Sequence, residues 1–475
     1  RPARACVWQL RRLRRRLQGL PGIGPFQDDR ELQAIARGET IGCVPEVSVN
    51  VAIDREAPLT APARPPLAEQ PMSLPDVYVW AVIDWHFRYQ RPQHIASALA
   101  RKGHRVFYLS NHFIDDRRPG ARVEALDDSG RLFQVHLHLP GAPAIYHQPP
   151  DAEALAALAS SLAELLAWTD SRRCISLVQH PYWRIGSRML PNVVQVYDCM
   201  DHHAGFDNTG SAVIEAEHAL IADADLVIVS SQWLADALAP QSRNLRLVRN
   251  AADYAFFSRP PERVRGDALG RPIVGYFGAI AEWFDCALIR ALAEALPQVL
   301  IRLVGSDTAS AARQLADLAN VEFIGEVPYA DLPQWLHGFD VCLLPFRVTP
   351  LTEATNPVKV YEYLSAGKPV VAIDLPEMAQ FGDTVRVAST PQAFVAAVAQ
   401  LLDDPGGSTA VAERQKFASE QTWDHRARAF DEALENIAEP CVSVVVLTYN
   451  NLVFTQACLF SIEHYSDYRN LEVIV

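Results

Sequence analysis

The sequence predicts an α/β protein built from two doubly wound domains in tandem. Short apolar segments alternate with helical patterns along most of the 475 residues. The apolar segments are continuous rather than alternating, which is typical of parallel strands that are buried on both faces of a sheet. A polar connection rich in Pro and Gly, residues 250–272, divides the alternation into two series. Each series is long enough to form one domain.

The first series predicts an N-terminal Rossmann-like domain over residues 76–260. Its first strand lies in "DVYVWAVIDW", a helix follows in "RPQHIASALARKGH", and a second strand lies in "RVFYLS". Further strands are predicted in "FQVHLHL", "CISLVQH", "VVQVYDC" and "DLVIVSS", with helices over residues 151–169 and 212–222. Each of these strands is a short apolar run bounded by polar residues, as expected of a buried strand.

The second series predicts a C-terminal Rossmann-like domain over residues 261–437, which ends in a returning helix. Its strands are predicted in "IVGYFGAI", "VLIRLVGS", "VEFIGEV", "VCLLPF", "PVVAID" and "VRVAS". Ligands of doubly wound sheets bind at the carboxyl ends of the strands. Two such sheets that face each other therefore predict a site in the cleft between the domains.

The two ends of the chain differ from these domains. Residues 1–75 contain seven Arg in the first sixteen positions, followed by a Pro-rich linker. This segment predicts either a solvated basic helix or a peripheral contact with anionic membrane lipids. Residues 438–475 begin a new strand–loop–helix–strand series and stop within it, so the chain is expected to be a piece of a longer protein.

Charge and hydropathy exclude two classes of function. The net charge of −13 argues against a nucleic-acid partner. No run of 18 apolar residues is present, so no membrane-spanning helix is predicted.

The eight Cys are scattered without a metal-binding spacing, which indicates small core residues in a reducing compartment.

One segment combines burial with charge. "NPVKVYEYLSAGKPVVAID", residues 356–374, predicts a helix that runs into a core strand. Lys359 and Glu362 lie three residues apart on one face of this helix. A cation and a carboxylate inside such a compact unit indicate either a binding site or an ordinary surface ion pair.

The C-terminal half resembles the GT-B glycosyltransferases of the retaining family 4 type. "NVEFIGEVPYADLPQWLHGFDVCLLPF" and the helix–strand segment above are the specific parts of a resemblance that covers roughly residues 76–437. It implies a nucleotide-sugar donor whose ribose hydroxyls bind a carboxylate on this helix, here Glu362. The diphosphate would face the helix N-terminus, which Asn356 and Pro357 place just before Lys359. Free N–H groups and the helix dipole favour an anion there.

The sequence departs from this family at three positions. The family usually has a second Glu eight positions before the first, and that position is Ala354, with Glu353 one residue away. It also has an Arg and a Lys after the first strand of the C-terminal domain, where this chain has Ala279 and Phe284. The charge that neutralises the diphosphate must therefore come from other residues.

The donor site is nevertheless expected in the same place. Lys359, the helix dipole and Arg347 would supply the positive charge, and Gly278 lies in the loop that follows the first strand. Trp283 and Asp285, in the same loop, have no assigned role.

The N-terminal half resembles a subgroup of bacterial cell-surface glycosyltransferases through "DWHFRYQRPQHIASALARKGHRVFYLS". The resemblance implies that this loop faces the cleft. Its hydrogen-bond donors, which suit an anionic acceptor or the donor phosphates, are His86, Arg88, Arg91 and His94. The alternative is that Arg91 forms a local salt bridge and that His94 is a satisfied, half-buried histidine.

A second polar segment, "VYDCMDHHAGF", follows another predicted strand. Asp198, Asp201 and His202 are candidates for positioning the acceptor hydroxyl, and Asp201 or His202 would accept its proton. His180 in "VQHPYWR" is a candidate of the same kind.

The last residues resemble the start of a family-2 GT-A glycosyltransferase, through "VSVVVLTYNN" and "LEVIV". A divalent metal would be expected for a complete GT-A domain, whereas the resemblance implies no metal or other cofactor in the GT-B part.

The leading hypothesis is a cytoplasmic glycosyltransferase, free or at the inner face of the plasma membrane. It would transfer a sugar, with retention, from a nucleotide-sugar to a glycan or lipid-linked acceptor of a bacterial surface polysaccharide. The alternatives are a nucleotide-sugar epimerase with the same fold and a non-catalytic glycan-binding or scaffolding module.

Overall fold

The structure is a computed structural model that describes residues 64–71, 74–206, 209–435, 437, 442–449, 452–466 and 471–475. The predicted basic helix near the N-terminus lies outside the described residues. Within the described ranges, no helix is both long enough and apolar enough to cross a membrane.

The N-terminal sheet contains eight strands. In chain order they are β1 (Asp76–Trp80), β2 (Val106–Leu109), β3 (Ala121–Ala125), β4 (Leu132–Leu137), β5 (Cys174–Val178), β6 (Val193–Cys199), β7 (Leu226–Val229) and β8 (Leu245–Leu247). Their spatial order is β3-β4-β2-β1-β5-β6-β7-β8, and only β3 runs antiparallel to its neighbour. The apolar segments predicted as strands in this half are therefore all strands, and they pair in parallel.

Helices cover both faces of this sheet. They are α1 (Arg91–Arg101), α2 (Ala152–Thr169), α3 (Ser211–Asp223) and α4 (Gln232–Leu238). The next helix, α5 (Tyr254–Ser258), packs on the second domain, where Phe257 lies in the hydrophobic core. Alternate side chains of β1 point to opposite faces, so Tyr78 and Trp80 enter one hydrophobic core while Val77 and Val79 enter the other. The predicted burial on both faces is confirmed, and the carboxyl ends of the strands remain as the edge where polar loops meet.

The C-terminal sheet contains six parallel strands. They are β9 (Ile273–Phe277), β10 (Leu300–Val304), β11 (Val321–Gly325), β12 (Val341–Leu344), β13 (Val370–Ile373) and β14 (Val385–Ala388), in the spatial order β11-β10-β9-β12-β13-β14. The helices are α6 (Cys286–Ala295), α7 (Ala311–Gln314), α8 (Leu332–Leu336), α9 (Pro350–Glu353), α10 (Val358–Ser365), α11 (Pro391–Asp403), α12 (Gly407–Ser419) and α13 (Trp423–Glu435).

The last of these helices returns to the first sheet. Trp423 and Phe430 of α13 lie in the same core cluster as Val77 and Val79 of β1. Arg101 of α1 also forms an exposed ion pair with Asp424 of α13, with an N–O distance of 2.7 Å. The chain thus crosses between the two sheets twice, once before β9 and once before α13.

The last described elements are β15 (Val442–Val445), α14 (Leu452–Tyr465) and β16 (Leu471–Ile474). The two strands pair in parallel, with Val442 opposite Leu471. The predicted strand–loop–helix–strand order is confirmed, and the assignment of this unit to a GT-A domain remains a prediction.

A buried ion pair joins the first helix to the sheet beneath it. The guanidinium of Arg91, the first residue of α1, donates to both carboxylate oxygens of Asp198 in β6, with a shortest N–O distance of 2.7 Å. The two side chains are 3% and 0% exposed. Arg91 also donates to the backbone oxygen of Val248 at 2.9 Å, just after β8. The pair therefore connects α1, β6 and the start of the connection to the second domain.

We expect Asp198→Asn to lower the free energy of unfolding by about 3–5 kcal/mol, because the Arg91 guanidinium would remain buried without its counter-charge. The matched control is Arg101→Ala, which removes the exposed partner of Asp424 and should change stability little. Urea-induced unfolding, followed by circular dichroism, measures both. Equal stability of Asp198→Asn and the wild type would contradict this structural role.

Candidate functional site

Two glycines at the carboxyl ends of β9 and β10 allow a close approach of three segments. Gly278 and Gly305 have φ angles of 128° and 151°, which other residues rarely adopt. A Cβ on Gly305 would lie 1.9 Å from the backbone oxygen of Gly278, and a Cβ on Gly278 would lie 1.9 Å from Cε of Lys359. The glycines therefore bring the Lys359 side chain of α10 against the ends of both strands.

Lys359 and Glu362 of α10 are ionisable side chains that are half-buried and buried, respectively. The Lys359 ammonium lies 5.7 Å and 5.9 Å from the ring centroids of Tyr276 and Phe346. Glu362 is only 5% exposed. Neither side chain has a hydrogen-bond or ion-pair partner among the described residues. Buried charges without partners are costly, so an outside partner is the natural explanation.

Burial also moves the titration of both groups. It raises the pKa of the Glu362 carboxyl to about 7, against the opposing effect of the nearby Lys359 charge. It lowers the pKa of Lys359, while the Glu362 charge acts in the opposite direction. A bound ligand with hydroxyl donors near Glu362 and negative charge near Lys359 would favour the ionised form of each group.

The other predicted donor-binding residues have different surroundings. Asn356 is fully engaged in protein contacts, because its side-chain oxygen accepts from the Asn250 N–H at 2.9 Å and its amide donates to Glu377 at 2.6 Å. Arg347 lies in the exposed loop after β12, and its backbone N–H donates to the Trp283 oxygen at 2.8 Å. The contacts of Asn356 thus indicate that it joins Asn250 of the interdomain connection to Glu377. The role of Arg347 in donor binding remains a prediction.

The loop after β9, residues 278–285, contains no Lys or Arg. Aromatic packing and a helix cap fix its conformation. Phe284 is buried, with its ring centroid 5.1 Å from that of Tyr276. Trp283 and Tyr276 both donate to the Ala279 oxygen, at 3.2 Å and 2.8 Å. Asp285 caps α6 by accepting from the Leu288 N–H at 3.0 Å. Trp283 and Asp285, which the sequence left unassigned, therefore have structural roles.

Ala354, at the position where the family usually has a second Glu, lies where the two domains touch. Ala354 is fully buried and packs within the core cluster of the N-terminal domain, although it belongs to the second half of the chain. Glu353, one residue before it, is half-buried and has no side-chain partner among the described residues. The interpretation that Glu353 contacts the sugar remains a prediction.

The loop after β6 lies against this same segment. A Cβ on Gly205 would lie 3.2 Å from the Cα of Leu351 in α9. Asp201, at the start of the loop, has no side-chain partner among the described residues, and burial raises its pKa to about 6 against the opposing effect of the Arg91 charge. The His202 ring packs on Trp233 with a centroid distance of 4.9 Å, and burial lowers its pKa.

A cavity of about 150 Å³ adjoins this loop. Its polar lining residues are Asp201, His202, Glu217, His218 and Gln241. Burial raises the pKa of Glu217 to about 7, and its carboxyl accepts a hydrogen bond from Tyr197 at 2.6 Å. The cavity therefore places several hydrogen-bond acceptors and donors together in the N-terminal domain.

The remaining predicted residues of the N-terminal domain divide into two groups. His94 stacks on Trp423 at a centroid distance of 4.7 Å, and the His180 ring accepts from the Tyr182 N–H at 3.2 Å. Burial lowers the pKa of both rings to about 3, so both are neutral packing or capping groups. For His94, the sequence left open a cleft-facing donor or a satisfied, half-buried histidine, and the stacking on Trp423 favours the second alternative.

Arg88 and His86 lie in the loop between β1 and α1. His86 is exposed and lies 3.1 Å from both carboxylate oxygens of Glu124 in β3. Arg88 instead reaches the second domain, where its guanidinium donates to Glu326 at 2.8 Å and to Ser306 at 3.3 Å. Arg88 therefore forms hydrogen bonds with the C-terminal domain across the space between the two sheets.

Sequence analysis missed Ser306, Glu326, Gln179 and Glu217. Glu326 and Gln179 directly follow β11 and β5, and Ser306 is the second residue after β10, so their position at a strand end was a usable signal. Gln179 is 1% exposed, and its amide has no hydrogen-bond partner among the described residues. Glu217 lies in the middle of α3, where no sequence pattern marks it. No group of metal-binding side chains occurs within the described ranges.

Known proteins resemble this chain both in sequence and in fold. Residues 271–404 match the family model described as "Glycosyl transferases group 1". The chain is 26% identical over 281 residues to the putative teichuronic acid biosynthesis glycosyltransferase TuaH of Bacillus subtilis (strain 168), which covers 54% of this chain and 71% of that protein.

Two solved structures share the fold. Sucrose-phosphate synthase from Thermosynechococcus elongatus has a TM-score of 0.59 and 16% identity, over 76% of this chain and 98% of that one. HepE from Anabaena, in complex with UDP and glucose, has a TM-score of 0.55 and 18% identity, over 76% of this chain and 100% of that one. At these identities, the likeness concerns the fold alone.

Proposed function

We propose that this chain, a glycosyltransferase enzyme with a GT-B-like fold, transfers a sugar from a nucleotide-sugar to a hydroxyl of a glycan or lipid-linked acceptor. The main support is the unpartnered pair of Lys359 and Glu362 at the cleft-facing ends of the C-terminal sheet. The product would belong to a bacterial surface polysaccharide, since the TuaH relative is described as an enzyme of teichuronic acid biosynthesis. Synthesis would take place in the cytoplasm or at the inner face of the membrane.

The donor half would bind a nucleoside diphosphate sugar. The Glu362 carboxylate would accept hydrogen bonds from two ribose hydroxyls, which is a strong and oriented contact. The diphosphate would lie at the first turn of α10, where free N–H groups favour an anion and Lys359 adds positive charge. The HepE structures contain UDP or UDP-glucose, so UDP is the first nucleotide to test.

The acceptor half would orient the attacking hydroxyl. The ionised Asp201 carboxylate would accept its hydrogen bond, with His202 beside it. In the proposed retaining reaction, the bond between the anomeric carbon and the diphosphate breaks, the acceptor oxygen bonds to that carbon, and its proton passes to the departing diphosphate. The protein would contribute orientation and charge stabilisation.

The epimerase alternative receives less support from the geometry. Such an enzyme would need paired carboxylates around the sugar, and Ala354 is buried against the N-terminal domain. A non-catalytic glycan-binding module would not need two buried charges without partners at the donor half.

The donor assignment is tested with Glu362→Gln. Loss of the charged acceptor should weaken UDP binding by about 10-fold to 100-fold, because a hydrogen bond to a charged group contributes roughly 1.5–3 kcal/mol. Wild-type affinity should also rise as the pH increases through about 7, where Glu362 ionises. Isothermal titration calorimetry with UDP, together with UDP release from UDP-glucose, measures both effects.

The matched control for this experiment is Glu164→Gln, which removes an exposed carboxylate on α2, outside the cleft. It should leave UDP affinity unchanged. Wild-type affinity in Glu362→Gln would contradict the donor assignment, and failure of the wild type to bind UDP or release it from UDP-glucose would contradict the proposed UDP-sugar donor.

The acceptor assignment is tested with Asp201→Asn. This change should lower kcat by about 100-fold, because the attacking hydroxyl would lose the group that orients it, and should leave UDP affinity unchanged. The wild-type kcat/KM should fall as the pH drops below about 6, where Asp201 becomes protonated.

UDP affinity is measured over the same pH range, so that the titration of Glu362 is not mistaken for that of Asp201. If Asp201→Asn keeps wild-type kcat, or if the part of the acidic fall in kcat/KM that UDP affinity does not account for persists in the variant, Asp201 does not orient the acceptor.

A further inference from the structure

Arg88 crosses the cleft between the two sheets. It lies in the loop after β1 of the N-terminal domain, and its side chain is 29% exposed. Its Nε donates to Oε1 of Glu326 at 2.8 Å, and one Nη donates to the Ser306 hydroxyl at 3.3 Å. Ser306 is the second residue after β10, and Glu326 directly follows β11. The guanidinium therefore lies at the carboxyl ends of the neighbouring strands that would surround a donor.

The same strand ends also hold Lys359. Gly278 packs against the Lys359 side chain, Gly305 packs against Gly278, and the Ser306 oxygen accepts from the Ile280 N–H at 2.9 Å. The contacts form a continuous series from Lys359 through the two glycines to Ser306 and Arg88. The Arg88 charge also contributes to lowering the pKa of Lys359, which places the two cations within electrostatic reach of each other.

The two cations differ in their partners. Lys359 has none among the described residues, and the carboxylate nearest to Arg88 belongs to the half-exposed Glu326. The chain has Ala279 and Phe284 in the loop after β9, so that loop provides no positive charge beside the glycines. Two converging cations next to a backbone that only glycine can form are suited to a diphosphate.

We propose that Arg88 and Lys359 form a diphosphate-binding site that is assembled from both domains, with the planar Arg88 guanidinium contributed across the cleft. This inference rests on the proposed function, because the diphosphate is that of the donor. It adds that donor affinity depends on contact between the domains. Glu326 forms a salt bridge with Arg88 and is not itself required for binding of the ligand.

The alternative role for Arg88 is a simple salt bridge that holds the domains together. The two roles predict different results for Glu326→Gln, which breaks the salt bridge but leaves the Arg88 charge in place. If Arg88 binds the diphosphate, its loss weakens binding and the loss of Glu326 does not. If the salt bridge alone matters, both changes have the same effect.

The experiment measures the Kd of UDP and of uridine by calorimetry, for the wild type, Arg88→Ala, Arg88→Lys and Glu326→Gln. Arg101→Ala is the matched control, since it removes an exposed ion pair of the same kind between α1 and α13. Arg88→Ala should weaken UDP at least about tenfold without changing uridine, because only UDP contains the diphosphate. Arg88→Lys should recover part of the affinity, and Glu326→Gln and Arg101→Ala should bind UDP as the wild type does.

The outcomes separate this inference from the proposed function. Equal UDP affinity in Arg88→Ala and the wild type would overturn the role of Arg88 and leave the donor assignment intact. Equal losses for UDP and uridine, or equal losses in Arg88→Ala and Glu326→Gln, would show that Arg88 only holds the domains. Absence of UDP binding by the wild type would overturn the proposed UDP-sugar donor together with this inference.

Discussion

The hydrogen bonds of Asn250 fix the arrangement of the two sheets, and the geometry of the cleft depends on them. Asn250 lies in the connection between the domains, where its side-chain oxygen accepts from Arg91 at 3.1 Å and its amide donates to the Asn356 oxygen at 2.6 Å. Its own backbone oxygen accepts from Arg426 of α13 at 2.9 Å. Arg91 also forms an ion pair with Asp198 in β6. Asn250 therefore links the end of β6, through Arg91, to the segment that begins α10. The loop that contains Asp201 and the helix that contains Lys359 are therefore positioned by the same buried network.

Two buried carboxylates of the C-terminal domain show why the charges of α10 indicate a ligand. Glu377 is 2% exposed, and it accepts hydrogen bonds from the Gln232 N–H at 2.7 Å, from Asn356 at 2.6 Å and from Arg249 at 2.9 Å. Glu362 is buried almost as deeply but has no such partner among the described residues. A native protein satisfies a buried carboxylate whose role is structural, as it does for Glu377. The contrast supports the proposed role of Lys359 and Glu362 in binding a ligand.

Sequence patterns predicted the strands well and the contacts poorly. The continuous apolar runs became strands, whereas β3 and β8 were missed because "ARVEA" and "LRL" are short segments with mostly exposed or half-buried residues. The pair of Lys359 and Glu362 was predictable from the helix and the resemblance. The partners of Arg91, His94 and Asn356 were not, since each contact joins residues more than 100 positions apart or depends on a neighbouring element. A sequence shows which side chains follow a strand, but not which of them already have a partner in the fold.

The packing of Ala354 explains the departure from the family pattern at that position. A carboxylate there would lie within the hydrophobic core of the N-terminal domain, where an unpaired charge costs several kcal/mol. The same short segment contacts the loop of Asp201, because Leu351 packs against Gly205. In the proposed function, contact between the domains and recognition of the sugar would compete for this segment. The half-buried Glu353 would be the carboxylate that this packing leaves available. In this arrangement, the sugar end of the donor and the acceptor hydroxyl would meet where the two domains touch, so closure of the cleft would itself align the reacting groups.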